Sequence, residues 1–148
     1  MSMASSSISA ALQRLPGLQG MLLTDQEGVV LLHAAGENKL SDEHQAMLQR
    51  MAVTFAQTTE RANKLGLGKN RHITAFYGAG PPQPTRRSHL PWPHSPRAER
   101  AVIVHVSCAP LILTLMADGA TNVGLLLDAA PELVRALVCA IIPNLGYV

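Results

Sequence analysis

Aromatic residues are scarce in this chain, 3% of 148, so any core has to be assembled from Leu, Ile, Val, Met and Ala. Only two cysteines are present, Cys108 and Cys139, both in apolar surroundings; they read as buried free thiols in a reducing compartment. No Asn-x-Ser/Thr sequon occurs, and the N-terminus lacks the basic start and apolar core of a signal peptide. That terminus is Ser-rich and free of acids up to Asp25, a composition also compatible with a transit peptide. The longest apolar run, Ala101 to Ala117, is broken by His105, Ser107 and Pro110 and falls short of the roughly 20 residues that span a bilayer. Ser2 stands where myristoylation needs glycine and no CaaX box closes the chain, so the expectation is no lipid anchor and no direct membrane insertion.

Charge is the other shortage: 15% charged against 47% hydrophobic marks a folded chain, long enough for one domain with a core. The net charge of +2 is unevenly held, because Arg86, Arg87, Arg97 and Arg100 against Glu99 put +3 into residues 78–100. The remainder is close to neutral. A fold without a basic face is a poor binder of phosphate backbones, so nucleic acid is not an expected partner.

What is present is a series of strand and helix signals. Ser5, Ser6 and Ser7 offer a cap to a first helix with Ile8, Ala11, Leu12 and Leu15 on one face, ended by Pro16. Leu18–Leu23 and Val29–Leu32 form a hairpin through Asp25-Gln26-Glu27-Gly28, with Asp first and Gly last in a type I turn. Met21-Leu22-Leu23 places apolar side chains on both faces, which suits a strand covered on both sides. Ser41 caps a second helix with Asp42 and Glu43 in its first turn and Leu48, Met51, Ala52, Phe55, Thr59 and Ala62 on one face; Gly66 stops it. Arg71–Tyr77 is a third strand. Ala101–Val106 and Leu111–Ala117 are two more, joined by a turn at Ser107-Cys108-Ala109-Pro110. A closing helix capped by Thr121 or Asn122 runs through Leu125, Leu126, Leu133, Leu137 and Ile141, with a kink or restart at Pro131 and an end at Pro143. The order α-β-β-α-β-β-β-α implies an α/β (α+β) fold with a five-stranded antiparallel sheet and helices on both faces. A single domain is expected over residues 4–142, interrupted at 78–100, with 143–148 as a tail.

The second helix carries a further stripe, Met47, Met51, Thr54 and Thr58, about 60–100° around the axis from the first. It is either the margin of a broad core face or an edge turned toward a partner. Catalytic readings are weak throughout. Lys64-Leu65-Gly66-Leu67-Gly68-Lys69-Asn70 looks like a phosphate loop, but Asn63 and Asn70 stand where Gly and Ser/Thr are needed, and the stretch follows a helix instead of opening one. His105 and Cys108, as base and nucleophile, are three positions apart on extended chain and face opposite sides, with Cys108 in the turn. A metal set drawn from His72, His89 and His94 would rely on two residues in a proline-rich stretch. No cofactor, metal or enzymatic activity is expected.

Taken together, Leu15-Pro16…Gly20, Asp25-x-x-Gly28-Val29, Lys64-Leu65-Gly66-Leu67-x-Lys69-Asn70, Phe76-Tyr77, Pro110-Leu111 and Asn122-x-Gly124-Leu125 resemble the roadblock/dynein light chain superfamily. Within it the chain is most similar to the MAP-kinase scaffold (MEK partner) subunits of Ragulator-type complexes, over residues 8–77 and 101–142. The resemblance implies a non-enzymatic adaptor that heterodimerises with a sister roadblock subunit through the second helix and third strand. Carried over, those positions are Met47, Met51, Thr54 and Thr58 with Ile73, Ala75 and Tyr77. It also implies other Ragulator-like subunits, MEK and ERK kinases and Rag GTPases as partners. The cytoplasmic pair would be held on late endosomes and lysosomes by a lipidated companion, in the service of target-of-rapamycin signalling. A roadblock-type dynein light chain, or a homodimeric regulator of a small GTPase, is the alternative.

Residues 78–100 depart from that pattern, standing where a short hairpin turn is expected. Their six prolines exclude regular helix and interior strand, which points first to an irregular insertion. Pro81-x-x-Pro84-x-Arg86 also fits a polyproline ligand, Arg86-Arg87-x-x-Leu90-x-Trp92 loosely resembles a MAP-kinase docking peptide, and Ser95-Pro96 is a candidate phosphosite.

Overall fold

Alternation of apolar side chains along the strands decides the architecture. The computed structural model describes residues 3–35, 41–77 and 101–141. Its elements are α1 (Met3–Arg14), β1 (Leu18–Asp25), β2 (Val30–Ala35), α2 (Asp42–Asn63), β3 (His72–Tyr77), β4 (Ala101–Cys108), β5 (Leu111–Asp118) and α3 (Val123–Ile141). The strands form one antiparallel sheet in the order β2-β1-β5-β4-β3, the expected fold class.

Consecutive strand residues point to opposite faces, so two cores form. Met21 and Leu23 of β1, Val102 and Val104 of β4, and Leu113 and Leu115 of β5 pack with Leu126, Leu133 and Leu137 of α3, and α1 lies against α3. On the other face Leu22, Ile103 and Met116 meet Leu48 of α2, and Ile112 meets Ala52 and Phe55. Full burial of a Leu or Ile contributes roughly 1.5–3 kcal/mol as an upper figure, so the aliphatic side chains carry a core in which Phe55 is the only buried Phe, Tyr or Trp among the described residues.

The β1–β2 turn is built as expected. Asp25 Oδ1 accepts from the amides of Glu27 and Val29, both at 2.9 Å, and the Gly28 amide donates to the Asp25 carbonyl at 3.3 Å. Gly28 has φ 89°, and a Cβ there would stand 2.8 Å from Val53 Cγ2. Gln49 Nε2 donates to the Gly28 carbonyl at 3.3 Å, so this turn is docked on α2.

Several boundaries differ from expectation. α1 begins at Met3, so the three serines lie inside the helix and do not cap it. β2 starts at Val30, since the Val29 amide is given to Asp25 Oδ1 in the turn, and the ladder shifts register between Leu23 and Thr24, leaving Leu31 as a bulge. The β4–β5 turn is two residues, Ala109-Pro110 with a cis peptide bond, and Cys108 is the last residue of β4. α3 runs through Pro131 without a restart, and Leu125 is exposed because Leu126 takes the inward position beside it. Asn122 supplies the cap, its Oδ1 accepting from the Gly124 amide at 2.9 Å. Pro143 lies outside the described residues.

His105, 3% exposed, stacks on Phe55 with ring centroids 5.3 Å apart, and its Nδ1 is hydrogen-bonded to Thr114 Oγ1 at 2.9 Å. Burial pushes its pKa down from 6.5 to about 4, so the ring is neutral at pH 7.

Two outcomes follow for the folded chain. Gly28→Ala should lower the urea-unfolding free energy by roughly 1–3 kcal/mol through left-handed strain and the Val53 collision. Between about pH 6.5 and about pH 4 the unfolded state binds a proton that native His105 does not. Stability should therefore fall as pH drops through that window, by about 3 kcal/mol at most, and His105→Leu should flatten the slope.

Candidate partner-binding surface

β3 pairs with β4 over six residues, His72↔Val106 through Tyr77↔Ala101, and among the described residues nothing pairs with its other side. The Ser107 amide donates to the Arg71 carbonyl at 2.8 Å, which fixes the phase of the ladder. In an antiparallel pair the bonded positions alternate, so Ile73, Ala75 and Tyr77 spend their amides and carbonyls on β4. The backbone groups of His72, Thr74 and Phe76 point out of the sheet.

Side chains follow the opposite bookkeeping. Ile73, Ala75 and Tyr77 share the α2 face with their partners His105, Ile103 and Ala101, and Ile73 packs on the Phe55 cluster. Tyr77 Oη reaches the Met51 sulfur at 4.0 Å, tying the end of the edge strand to α2.

On α2, Leu48, Ala52 and Phe55 are buried, and Met47 and Met51 pack on the edge of that core. Thr54 and Thr58 are exposed. Their hydroxyls donate back to the carbonyls of Arg50 at 3.2 Å and Thr54 at 2.9 Å, which satisfies them within the helix and leaves methyl groups outward. Around the helix this stripe lies about 90° from the buried face, on the β3 side, whereas Gln49 and Val53 lean toward the β1–β2 turn. The two alternatives for the stripe thus divide along its length: Met47 and Met51 are core margin, Thr54 and Thr58 are open surface.

The seven positions named from the resemblance are therefore brought onto one flank, α2 beside the sheet border. The alternation of β3 implies a part that was missed: the outward backbone belongs to His72, Thr74 and Phe76, and Phe76 is 72% exposed. Arg86, Arg87, Leu90, Trp92 and Ser95, with His89 and His94, lie outside the described residues.

His105 and Cys108 sit on opposite sheet faces, Cys108 packing at the α1/α3 core. Burial pushes the Cys108 thiol up, partly offset by a backbone hydrogen bond with Leu113, which disfavours the thiolate a nucleophile needs. The Cys139 side chain lies outside the described residues. Among the described residues no three His, Cys, Asp or Glu are grouped to hold a metal, and no helix is long and apolar enough to cross a membrane.

A five-stranded antiparallel sheet with α2 on one face and α1 and α3 on the other is the roadblock/LC7 fold. The chain superposes on Myxococcus xanthus MglB with a TM-score of 0.59 at 14% identity, covering 93% of this chain and 97% of that one. A roadblock/LC7 domain from Streptomyces avermitilis gives 0.54 at 14% identity, with 94% of each chain covered. Within this class, residues 5–80 match the sequence profile of the family described as "Mitogen-activated protein kinase kinase 1 interacting", and the chain belongs to that family. It is 26% identical over 117 residues to human Ragulator complex protein LAMTOR3, covering 79% of this chain and 75% of that protein. The likeness to the LAMTOR3 homolog of Dictyostelium discoideum is also 26% over 117 residues, covering 79% and 71%.

Because the Thr74 amide points outward and the Ala75 amide is bonded to β4, proline should separate the two positions. Thr74→Pro should change the thermal midpoint little, whereas Ala75→Pro removes a ladder bond and lowers it by several degrees. In the unpaired chain, hydrogen exchange at the amides of Thr74 and Phe76 should outrun that at Ile73 and Ala75.

Proposed function

We propose that this chain is a non-enzymatic scaffold subunit of a Ragulator-like complex, pairing through α2 and the open side of β3 with a sister roadblock subunit. One observation carries the reading: the outward backbone of His72, Thr74 and Phe76 runs beside the Met47/Met51/Thr54/Thr58 flank of α2. A sister strand laid on β3 satisfies that backbone, and a sister helix laid on α2 covers the methyl and thioether groups next to it. The family match and the Ragulator names of its relatives support the wider role. In that role the pair joins further Ragulator-like subunits, is recruited to the late endosomal and lysosomal surface by a lipidated companion, and links MEK and ERK kinases with Rag GTPase and target-of-rapamycin signalling. Residues 78–100, with Arg86, Arg87, Leu90, Trp92 and Ser95, are proposed as an added kinase contact.

Co-expression with candidate sister roadblock subunits, followed by native mass measurement, tests the pairing. The wild-type chain should form a one-to-one heterodimer. Thr74→Pro and Met51→Glu should each weaken it about tenfold or more, the second by burying an unpaired charge. A folded chain that stays single beside every sister refutes the reading, and one that pairs only with itself favours the homodimeric GTPase regulator.

A further inference from the structure

The connection between α2 and β3 exposes two leucines that neither core uses. Leu65 is 70% and Leu67 88% exposed, among the most exposed hydrophobic side chains of the described residues. Their presentation is fixed. The Asn70 amide donates to Asn63 Oδ1 at 2.7 Å, Asn70 Nδ2 donates to Thr59 Oγ1 at 3.1 Å, and the Leu65 amide donates to the Ala62 carbonyl at 3.1 Å. Gly66 and Gly68 take φ 74° and 97°, so the loop is a short hydrogen-bonded bend that carries its leucines at the tip. Holding such side chains outward in advance reduces the ordering entropy that binding would otherwise require.

Charge around the tip is predominantly positive. Arg61, Lys64, Lys69 and Arg71 are all exposed, and the nearest acid in sequence, Glu60, is paired with Lys64 at 3.7 Å. An open depression lined by Lys69, Asn70, Arg71, Ser107 and Ala109 adjoins the loop, so two of the cations sit against the β4–β5 turn. Other acids at this end of the sheet, Asp25 and Glu27, belong to the β1–β2 turn; β1 is three strand spacings from β3, roughly 14 Å, beyond a Debye length at physiological salt. Outside residues 78–100 the chain is near neutral only with these four cations counted, and what remains without them is acidic, so the cationic collar is local.

We infer that this loop is a peripheral contact for an anionic lipid surface, with Leu65 and Leu67 entering the headgroup–acyl boundary and Arg61, Lys64, Lys69 and Arg71 meeting the headgroups. Two exposed leucines flanked in sequence by four cations, one of them paired with Glu60, match a bilayer that offers an apolar layer and negative charge together; a protein pocket would have to supply acids for the same cations. The loop also lies at the end of the sheet, beside the β4–β5 turn, whereas the β3 backbone and the α2 stripe face sideways. The contact is weak on its own and lies on the bilayer without crossing it, so it orients a chain that something else brings there. It does not depend on the proposed pairing.

The test is sedimentation of the full chain, alone and with its sister, with phosphatidylcholine vesicles carrying phosphatidylserine at roughly 30 mol% and with phosphatidylcholine alone. Binding is expected only to the anionic vesicles and should fade with added salt. Leu65→Ser/Leu67→Ser should reduce it about tenfold or more, and Lys69→Glu/Arg71→Glu at least fivefold per position. Native mass on the same samples should show pairing unchanged in both variants. Equal sedimentation of wild type and the leucine variant overturns the inference, as does absence of wild-type binding. Loss of pairing in the leucine variant with no vesicle binding overturns it too, and assigns the leucines to a protein contact.

Discussion

A strand at the border of a sheet leaves every second amide and carbonyl without a partner in its own chain, and much of this molecule is arranged around that condition. β3 is short, its inward residues are held by β4, and its outward backbone is offered along one line. Such a line is either blunted or covered in natural proteins, because a bare one recruits other strands indiscriminately. Here it carries no proline and no lysine, and it is flanked by a helix whose exposed threonines have already satisfied their hydroxyls. In the proposed pairing, one matching surface covers that border.

The interior is closed without drawing on the open part of that flank. Both sheet faces are already closed, one by α1 and α3 and the other by α2, using aliphatic side chains. The stacked pair of Phe55 and His105 is the exception, and its imidazole is neutral at ordinary pH and bonded to Thr114. With His105 withdrawn into the α2 core and Cys108 packed on the far side of the sheet, the two residues that could have suggested chemistry act as filling. The family relation fits this: kin of the chain are named as members of a complex.

Most of the architecture was legible in the sequence because its signals are local. Ser41 with Asp42 and Glu43 marks the start of α2, and Asp25 with Gly28 marks the hairpin turn, which the structure closes with hydrogen bonds to Asp25. Boundaries failed where a longer-range effect prevailed: α1 passes through its serines, and β4 extends to Cys108 because each added residue gains a partner on β5. The flank was readable only in part. Helical spacing could pick out Met47, Met51, Thr54 and Thr58, but which β3 residues turn their backbone outward depends on the phase of the ladder, set by one bond from Ser107 to Arg71. Composition had no means of supplying that phase, and the exposure of Leu65 and Leu67 was equally hidden, since a leucine in a loop looks the same whether its neighbours cover it or not.

Tyr77 and Ala101 face each other as the last pair of the β3–β4 ladder, in step with the five pairs before them. The chain therefore departs from the sheet and re-enters it at points about 5.5 Å apart, however many residues intervene. Closure at such a gate is nearly indifferent to length, each doubling of a flexible connection adding only about 0.6 kcal/mol. The end of this ladder is a tolerant port in the scaffold, where the length of the connection can change while the sheet beneath keeps its register.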